Sequence, residues 1–424
     1  MSRQRLFLGI DLGTSGCRAV VIDDQGVSRA QSDVALPAPL RAGARVEQHP
    51  AVWWSAVREC VQHAAAQVDA AAIRSLAVDA TSGTLLLADE QGEPLGPALM
   101  YNDSRARAEA LRIVAVAPAQ CAAHSPSSAL AKLLHLLPHP RARHALHQAD
   151  WIVGHLTGRW GISDENNCLK LGYDPVGKCW PVWLNNLMDD RRLLPQVVAP
   201  GTPIAPLNPQ IAQQLGLPDN VTVVAGTTDS TAAFIATGAE QVGEAVTSLG
   251  STLVMKVISS RPIFAPEYGV YSQPLGRLWL AGGGSNSGGA VLLHYFNPAE
   301  LTQMTPRLHP DRPTGLDYYP LLTPGERFPV NDPHLPPRLD PRPDDDLQFF
   351  QAMLEGMARI EQRAYEVLRK LGAPYPTSVR SVGGGAANSA WTQIRQRMLN
   401  VPMLTPTHQD AAYGAALLAR QGDR

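Results

Sequence analysis

Two segments of the chain share one plan: an apolar run, a turn rich in Gly, Ser and Thr, and a second apolar run. The first segment covers residues 6–22 with its turn at 12–16, and the second covers residues 244–258 with its turn at 250–252. Apolar runs of this length predict buried strands, and the glycines predict tight turns between them. The recurrence is one of pattern rather than of residues, and it predicts two halves of similar architecture.

Strand and helix patterns alternate along most of the 424 residues, which predicts an α/β fold with two domains or three. Helices are expected at 53–68, 104–115, 127–137, 141–157, 230–237 and 346–371, and the last helix near 409. Residues 297–345 carry twelve prolines and predict an irregular segment. Its aromatic residues favour an ordered segment, with a disordered linker as the alternative.

Charge and composition exclude several classes of protein. The formal net charge is −2, and the densest basic stretch, 141–144, is short and predicts the end of a solvated helix rather than a nucleic-acid surface. No apolar run has the length of a membrane span, so we expect a cytoplasmic protein, or an organellar one if a transit peptide has been removed. The five cysteines include no CxxC pair, which argues against a disulfide framework or a zinc site. His144 and His147 fall on one predicted helix without a third metal ligand.

The turn that follows Asp11 has the composition of a phosphate-binding element. Its glycines let backbone N–H groups approach an anion, and Thr14 and Ser15 add hydroxyl donors. The Asp11 carboxylate could hold a hydrated Mg²⁺ near the phosphates. The turn is not a Walker A loop, because no GxxxxGK[ST] pattern occurs in the chain. A plain hairpin is the alternative interpretation of this turn taken alone.

Three more segments could take part in the same chemistry. Residues 248–252 offer the same donors from the second half of the chain. The glycine runs 282–289 and 383–388 are each expected to lead into a helix, and a helix N-terminus favours an anion. Ordinary turns remain the alternative for each of them.

Asp229 is the candidate general base. It follows the predicted strand 221–225 and opens a predicted helix, and ligands of open α/β sheets bind at the carboxyl ends of strands. A simple helix N-cap is the competing interpretation.

Taken together and in this order, these residues resemble the FGGY carbohydrate kinase family of the actin-like, ribonuclease-H-like ATPase superfamily. The matching segments span residues 9 to 416 and are 9–16, 101–105, 226–229, 249–252, 325–329, 383–388 and 413–416. The resemblance implies two ribonuclease-H-like domains with a nucleotide cleft between them. Residues 1–228 and 405–424 would form the N-terminal domain, with the sugar side and the first phosphate turn. Residues 229–404 would form the C-terminal domain, with the second phosphate turn and the adenosine site.

The resemblance also implies ATP and Mg²⁺ as cofactors and a role for individual residues. Asp229 would take the proton from the sugar hydroxyl, and Asp11 would hold the metal through water. The residues implied on the sugar side are Asp11, Ser15, Gly16, Cys17, Arg18, Asp79, Ser82 and Asp229, with Ser15 also part of the first phosphate turn. The residues implied around ATP are Gly13, Thr14, Gly250, Ser251, Thr252, Gly289, Gly384, Gly385, Ala386, Ala387 and Asn388.

Residues 75–83 depart from the Ser-Gly-Gln-Met-His-Gly pattern of typical xylulokinases and are similar to the compact D-ribulose kinases of cyanobacteria and plants. This implies phosphorylation of D-ribulose to D-ribulose 5-phosphate, with Asp79 and Ser82 as hydroxyl-binding residues. A turn between two strands is the alternative for these two residues. Other hypotheses are a kinase of D-xylulose or another ketose or polyol, a catalytically inactive sugar sensor, and an actin-like chaperone or scaffold. The expected partner is a small sugar, with neither nucleic acid nor membrane, and the oligomeric state is not predicted.

Overall fold

The structure is a computed structural model that describes residues 5–423 and divides them into two compact units. The first unit runs to Ala236 and also includes the C-terminal residues from Asp410 onward, and the second unit is Thr237–Gln409. The helix that begins at Asp229 lies in the first unit, whereas the sequence assigned it to the second domain. Among the described residues, no helix is both long enough and apolar enough to cross a membrane.

The strands and helices are numbered in chain order. The strands of the first unit are β1 (Leu6–Leu12), β2 (Gly16–Asp23), β3 (Ser28–Ala35), β4 (Leu40–Ala42), β5 (Arg45–Gln48), β6 (Ile73–Ala80), β7 (Leu85–Ala88), β8 (Ala98–Leu99), β9 (His144–His147), β10 (Ile162–Asp164), β11 (Gln196–Val198), β12 (Pro203–Pro206) and β13 (Thr222–Val224). Its helices before the second unit are α1 (Pro50–Ala65), α2 (Arg107–Val114), α3 (Ala129–Leu136), α4 (Gln148–Thr157), α5 (Glu165–Cys168), α6 (Pro209–Leu215) and α7 (Asp229–Ala236). The second unit contains β14 (Glu244–Leu249), β15 (Leu253–Ser259), β16 (Phe264–Ala265), β17 (Val270–Tyr271), β18 (Gln273–Leu275), β19 (Leu278–Gly284), β20 (Ser378–Val382), β21 (Met403–Leu404), α8 (Gly289–Tyr295), α9 (Pro298–Met304), α10 (Asp346–Lys370) and α11 (Ser389–Leu399). The last helix, α12 (Ala411–Gly422), returns to the first unit.

The central sheet of the first unit has six strands in the order β12-β13-β6-β1-β2-β3. β1, β2 and β3 are antiparallel neighbours, whereas β6 and β13 run parallel to β1. Leu8 and Ile10 of β1 enter the larger apolar core, and Phe7 enters a second core that includes α12. Burial on both faces explains why β1 is an almost continuous apolar run.

The C-terminal helix α12 packs closely on this sheet. A Cβ atom at Gly9 would lie 1.9 Å from the carbonyl oxygen of Ala412, and one at Gly414 would lie 1.9 Å from that of Ala232. Only glycine allows backbones to approach so closely, so these residues fix α12 against β1 and α7.

The central sheet of the second unit repeats the plan of the first. Its order is β18-β19-β15-β14-β20-β21, with β14 antiparallel to β15 and parallel to β20. The β14–β15 hairpin therefore corresponds to β1–β2, and β20 corresponds to β6. The repeat predicted from the sequence is confirmed at the level of strand order and direction.

The proline-rich segment before α10 is ordered, as its aromatic residues predicted. Tyr318 and Phe328 are buried in the core of the second unit, and the Tyr318 hydroxyl donates to the carbonyl oxygen of Pro341 at 2.6 Å. The prediction of an ordered, irregular segment is therefore confirmed, and the alternative of a disordered linker is wrong.

The helix predicted at 141–157 is wrong in its first part. His144–His147 form β9, which pairs antiparallel with β7 so that His147 lies opposite Leu85. Backbone pairing with β7 stabilises these residues as a strand despite their helical pattern, and α4 begins only at Gln148. The expectation that His144 and His147 share a helix is wrong for the same reason.

The glycine run 282–289 is also only partly a turn. Residues 282–284 are the end of β19, and a Cβ atom at Gly282 would lie 2.4 Å from the carbonyl oxygen of Met255 on β15. A Cβ atom at Gly283 would lie 2.7 Å from the Phe328 ring. These two glycines permit close packing within a strand, which residue type alone does not distinguish from a turn.

Candidate active site

Three carboxylates meet at one edge of the sheet in the first unit. Asp11 on β1 and Asp79 on β6 are paired residues in the parallel register of these neighbouring strands. Thr228 forms a parallel bridge with Ala80, which brings Asp229 to the same edge. Because the parallel strands β1, β6 and β13 end here, the edge is where a ligand of an α/β sheet binds.

Asp229 owes its place to the close approach of the segment after β13 to β6. A Cβ atom at Gly226 would lie 1.9 Å from the carbonyl oxygen of Val78, so only glycine lets the chain pass there. Asp229 is the first residue of α7 and is half-buried, and its Oδ1 atom accepts from the Ser230 N–H at 2.6 Å. Asp229 is therefore the first residue of the helix rather than the N-cap residue before it, and its side chain lies beside two other acids.

Burial and mutual repulsion shape the electrostatics of these carboxylates. Burial raises the pKa of Asp11 to about 6, and the negative charges of Asp229 and Asp410 add to this, while a hydrogen bond with Asp79 and the charge of Arg18 oppose it. The Arg18 Nη1 atom lies 3.3 Å from Asp11 Oδ2, but its side chain is 51% exposed, so solvent weakens the pair.

Asp79 is the most enclosed of these acids. Burial raises its pKa well above the usual value, and the neighbouring Asp11 raises it further. Its exposed fraction is 0%, and within residues 5–423 no N–H or hydroxyl group donates to its carboxyl oxygens, although the Asp11 carboxyl group can share a proton with them. A buried polar group of this kind calls for a ligand, a water or a proton to satisfy it.

The turn that the sequence predicted to bind phosphate, called here the first phosphate turn, lies between β1 and β2, directly after Asp11. The Gly13 N–H donates to the Gly16 carbonyl oxygen at 2.9 Å, and Ser15 is exposed at the tip while Thr14 is half-buried. Cys17, by contrast, is fully buried in the apolar core. Of the residues implied on the sugar side, the structure therefore brings Asp11, Asp79 and Asp229 together and places Cys17 inside the core.

The loop that carries Ser82 is held by hydrogen bonds with the side chains of Gln148 and Lys132. The sequence did not predict a role for either residue. Ser82 itself is half-buried. The Thr81 hydroxyl donates to Gln148 Oε1 at 2.6 Å. The Lys132 ammonium group, fully buried, donates to the carbonyl oxygens of Gly83 and Met100 at 2.7 Å each. A single Lys or Gln in an otherwise ordinary helix gave no signal in the sequence.

The turn at residues 250–252, predicted as the second phosphate turn, and two glycine segments converge within the second unit. Gly289 N–H donates to the Gly250 carbonyl oxygen at 2.8 Å, and a Cβ atom at Gly288 would lie 2.7 Å from the Ser251 carbonyl oxygen. On the other side, a Cβ atom at Gly385 would lie 2.8 Å from Leu249 Cβ. The convergence predicted for residues 250–252, 289 and 383–388 is therefore present in the structure, although their contact with ATP stays a prediction.

The segment after β20 forms the entry to α11. Gly384–Ala387 is a short 3₁₀ turn in which Gly384 and Ala387 are exposed, and Gly385 and Ala386 are half-buried. Asn388 caps α11, since its Oδ1 atom accepts from the Trp391 N–H at 2.9 Å, and its Nδ2 atom donates to Thr305 Oγ1 at 3.2 Å. The Asn388 amide thus has a structural role of its own at the start of α11.

The acids of the site suit a magnesium ion that is bound mainly by its substrate. No group of three or more His, Cys, Asp or Glu side chains in the part of the chain that is described could hold a metal ion. A magnesium ion that arrives with ATP needs only one or two carboxylates beside its waters and phosphates. Asp11, 5% exposed at the end of β1 and next to the first turn, fits that limited requirement.

Two models of one protein family match most of the chain. The N-terminal domain of the FGGY family of carbohydrate kinases matches residues 6–236, and the C-terminal domain of the same family matches residues 245–420. The chain belongs to the FGGY family of carbohydrate kinases. It is therefore a sugar kinase, and the family predicted from the sequence is confirmed.

Individual relatives of the FGGY family extend this result. The chain is 26% identical to the xylulose kinase of Escherichia coli (strain K12) over 447 residues, which cover 98% of this chain and 90% of the relative. The crystal structure of a xyloylose kinase from Brucella ovis matches with a TM-score of 0.90 and 26% identity, covering 99% of this chain and 90% of that one. The glycerol kinase of Plasmodium falciparum, solved with ADP, matches with a TM-score of 0.85 and 16% identity, covering 98% and 89%. The predicted two-domain α/β fold is thereby confirmed, and the last likeness concerns the fold alone.

Proposed function

We propose that this FGGY kinase transfers the γ-phosphoryl group of ATP to the terminal hydroxyl of a ketopentose, D-ribulose, giving D-ribulose 5-phosphate. The observation that carries the proposal is the meeting of Asp229, Asp11 and Asp79 at the carboxyl edge of one sheet. A half-buried carboxylate at the start of a helix, beside a turn suited to phosphate, is what transfer to a hydroxyl requires.

Asp229 acts as the general base. It orients the sugar O5 atom, which forms a bond to the γ-phosphorus while the bond from that phosphorus to the bridging oxygen of ADP breaks. The hydroxyl proton passes to the Asp229 carboxylate, and ADP leaves. Since the proton moves late in a loose transition state, the base does not need to be strong. Positioning and electrostatic stabilisation supply most of the rate.

Backbone donors bind the phosphates. In the first unit the donors come from Thr14, because the Gly13 N–H already donates to the Gly16 carbonyl oxygen and Gly13 serves to shape the turn. In the second unit they are the N–H groups of Gly250–Thr252. The close approach of Gly288 and Gly289 to the second turn supports this role, because a side chain at either position would collide with the turn. Magnesium would enter as part of the MgATP substrate, and Asp11 would bind it through water. Residues 384–388 and Gly289 would contact the adenosine.

The choice of D-ribulose rests on the loop that follows β6. Asp79 occupies a buried position beside Asp11, and Ser82 lies half-buried in the loop that Gln148 and Lys132 hold. Both side chains could bind sugar hydroxyls, and both belong to the stretch that departs from the xylulokinase pattern. D-Xylulose is the second candidate, because the E. coli relative is a xylulose kinase.

A side-by-side assay decides between the two sugars. ADP release is measured with MgATP and D-ribulose or D-xylulose, and the phosphorylated carbon of the product is identified by NMR. The proposal expects a higher kcat/KM for D-ribulose and phosphate on C5. A preference for D-xylulose would move the assignment to the second candidate, and ADP release without any sugar product would refute both.

A further inference from the structure

The segment 325–329 matches the family pattern, yet the proposed chemistry leaves it without a role. Its Glu326 is 2% exposed and holds several groups at once. The Glu326 carboxylate accepts from Ser285 Oγ at 2.5 Å, Asn286 N at 2.7 Å, Tyr319 Oη at 2.8 Å and Arg327 N at 2.8 Å. Two of these donors are the backbone N–H groups of Asn286 and Arg327. The buried Glu326 carboxylate therefore fixes the backbone at both residues.

The side chain of Arg327 is exposed, but hydrogen bonds hold it. Its Nε atom donates to Asn286 Oδ1 at 2.7 Å, and its Nη2 atom lies 3.4 Å from the Ser285 carbonyl oxygen. Asn286 is held in turn, since its Nδ2 atom donates to the Gly325 carbonyl oxygen at 2.9 Å. Both acceptors of the guanidinium group are neutral, so these bonds set its direction without cancelling its charge.

This guanidinium group lies beside the second phosphate turn. The backbone of Leu253, directly after the turn, donates to the Ser287 carbonyl oxygen at 2.8 Å and accepts from the Ser285 N–H at 2.9 Å. A Cβ atom at Gly284 would lie 3.5 Å from Arg327 Nη2 and 3.7 Å from the Leu253 carbonyl oxygen. The Arg327 guanidinium group and Leu253, the residue after the turn, therefore both lie beside Gly284 of β19.

We propose that Arg327 is a phosphate-binding residue of the second unit, whose guanidinium group binds the polyphosphate of the nucleotide held by Gly250–Thr252. The inference rests on the proposed binding of ATP phosphates by this turn. A guanidinium group matches phosphate oxygens with two parallel N–H donors, and Arg327 loses little freedom on binding because Asn286 already orients it. Its charge also stabilises the negative charge on the phosphoryl oxygens during transfer.

The test uses nucleotide binding without sugar, so that it does not depend on the identity of the acceptor. Dissociation constants of adenosine, AMP, ADP and MgATP are measured by calorimetry for the wild type and for Arg327→Met. A charge-assisted hydrogen bond predicts a loss of roughly 10- to 100-fold for ADP or MgATP, with adenosine binding unchanged. The smallest nucleotide to show the loss identifies the phosphate that Arg327 contacts.

Arg277→Met is the matched control. Arg277 is exposed and precedes β19 at the end opposite Gly284, so this variant removes one positive charge from the same unit and leaves the turn alone. It is expected to bind every ligand as the wild type does. An equal loss with Arg277→Met would reduce the effect to net charge and overturn the proposal.

Arg327→Lys separates binding from structural support. Lysine keeps the charge but has no Nε donor for Asn286, so a phosphate-binding role predicts partial recovery of ADP and MgATP affinity. The proposal is overturned if adenosine affinity falls as much as that of MgATP, if no ligand loses affinity, or if Arg327→Lys recovers nothing. If nucleotide binding behaves as predicted but neither ketopentose is phosphorylated, the proposed acceptor fails while this inference stands.

Discussion

Replacing Arg395 by methionine should destabilise the second unit strongly. Arg395 on α11 and Glu361 on α10 form an ion pair with exposed fractions of 0% and 1%, joined at 2.6 Å and 2.7 Å. Arg395 Nη1 also donates to Ser381 Oγ on β20, and Glu361 Oε1 accepts from Thr247 Oγ1 on β14. The pair therefore ties two helices to the two strands that lead into the second phosphate turn and the glycine segment at 383–388.

The expected loss follows from the burial of the pair. Removal of one partner from a buried pair leaves an uncompensated charge and costs about 3–5 kcal/mol of unfolding free energy. The second unit, Thr237–Gln409, falls in the size range where 1 kcal/mol shifts the melting temperature by about 2–4 °C. Arg395→Met should thus lower the melting temperature of this unit by roughly 6–20 °C.

Differential scanning calorimetry measures the shift, with Arg277→Met as a control for an exposed arginine in the same unit. The double variant Glu361→Leu/Arg395→Met removes both charges and should be more stable than Arg395→Met alone. Below the transition, Arg395→Met should also bind MgATP more weakly, because β14 and β20 are less firmly held. A shift no larger than that of Arg277→Met, or a double variant less stable than the single one, would refute the reasoning.

Two further predictions concern the first unit. Gly9→Ala should destabilise the protein by about 1–3 kcal/mol or more, because the new Cβ atom would lie 1.9 Å from the Ala412 carbonyl oxygen, whereas Gly96→Ala, with no atom within 4 Å, should be nearly neutral in urea denaturation. Burial lowers the pKa of Lys132 from 10.5 to about 7 in the folded state, so the unfolded chain binds more protons between these values and stability rises with pH there. The wild type should therefore gain up to about 1.4 kcal/mol per pH unit relative to Lys132→Met from pH 7 towards pH 10, and parallel stability curves for the two proteins would contradict this prediction.

Local patterns predicted much of the fold. The hairpins β1–β2 and β14–β15 are short apolar runs around turns of Gly, Ser and Thr, so both strands and turns depend on residues close in sequence. The repeat of these hairpins predicted two halves of similar architecture, whereas the order and direction of the strands in the two sheets came only from the structure. By contrast, β9 forms because it pairs with the backbone of β7. This pairing joins residues far apart in sequence, so no local pattern predicts it.

The candidate site shows the same division. Asp229 was found because a carboxylate at a strand end that opens a helix is a local feature. That Asp79 lies in register with Asp11 depends on the pairing of β1 with β6, which are far apart in sequence. Arg327 was matched to the family pattern, but its position beside the second turn depends on Asn286 and Ser285, which the sequence could not connect to it.

The role of Asp229 as the base that activates the sugar hydroxyl is the central claim, and the turnover of Asp229→Asn tests it most directly. The variant keeps the size of the side chain and removes its ability to accept a proton, while Asp219→Asn alters an exposed aspartate of the same unit as a control. With MgATP and D-ribulose, kcat should fall by about 10²–10⁴ in Asp229→Asn, while MgATP affinity is retained and Asp219→Asn turns over as the wild type does. Turnover of Asp229→Asn close to that of the wild type would contradict the account.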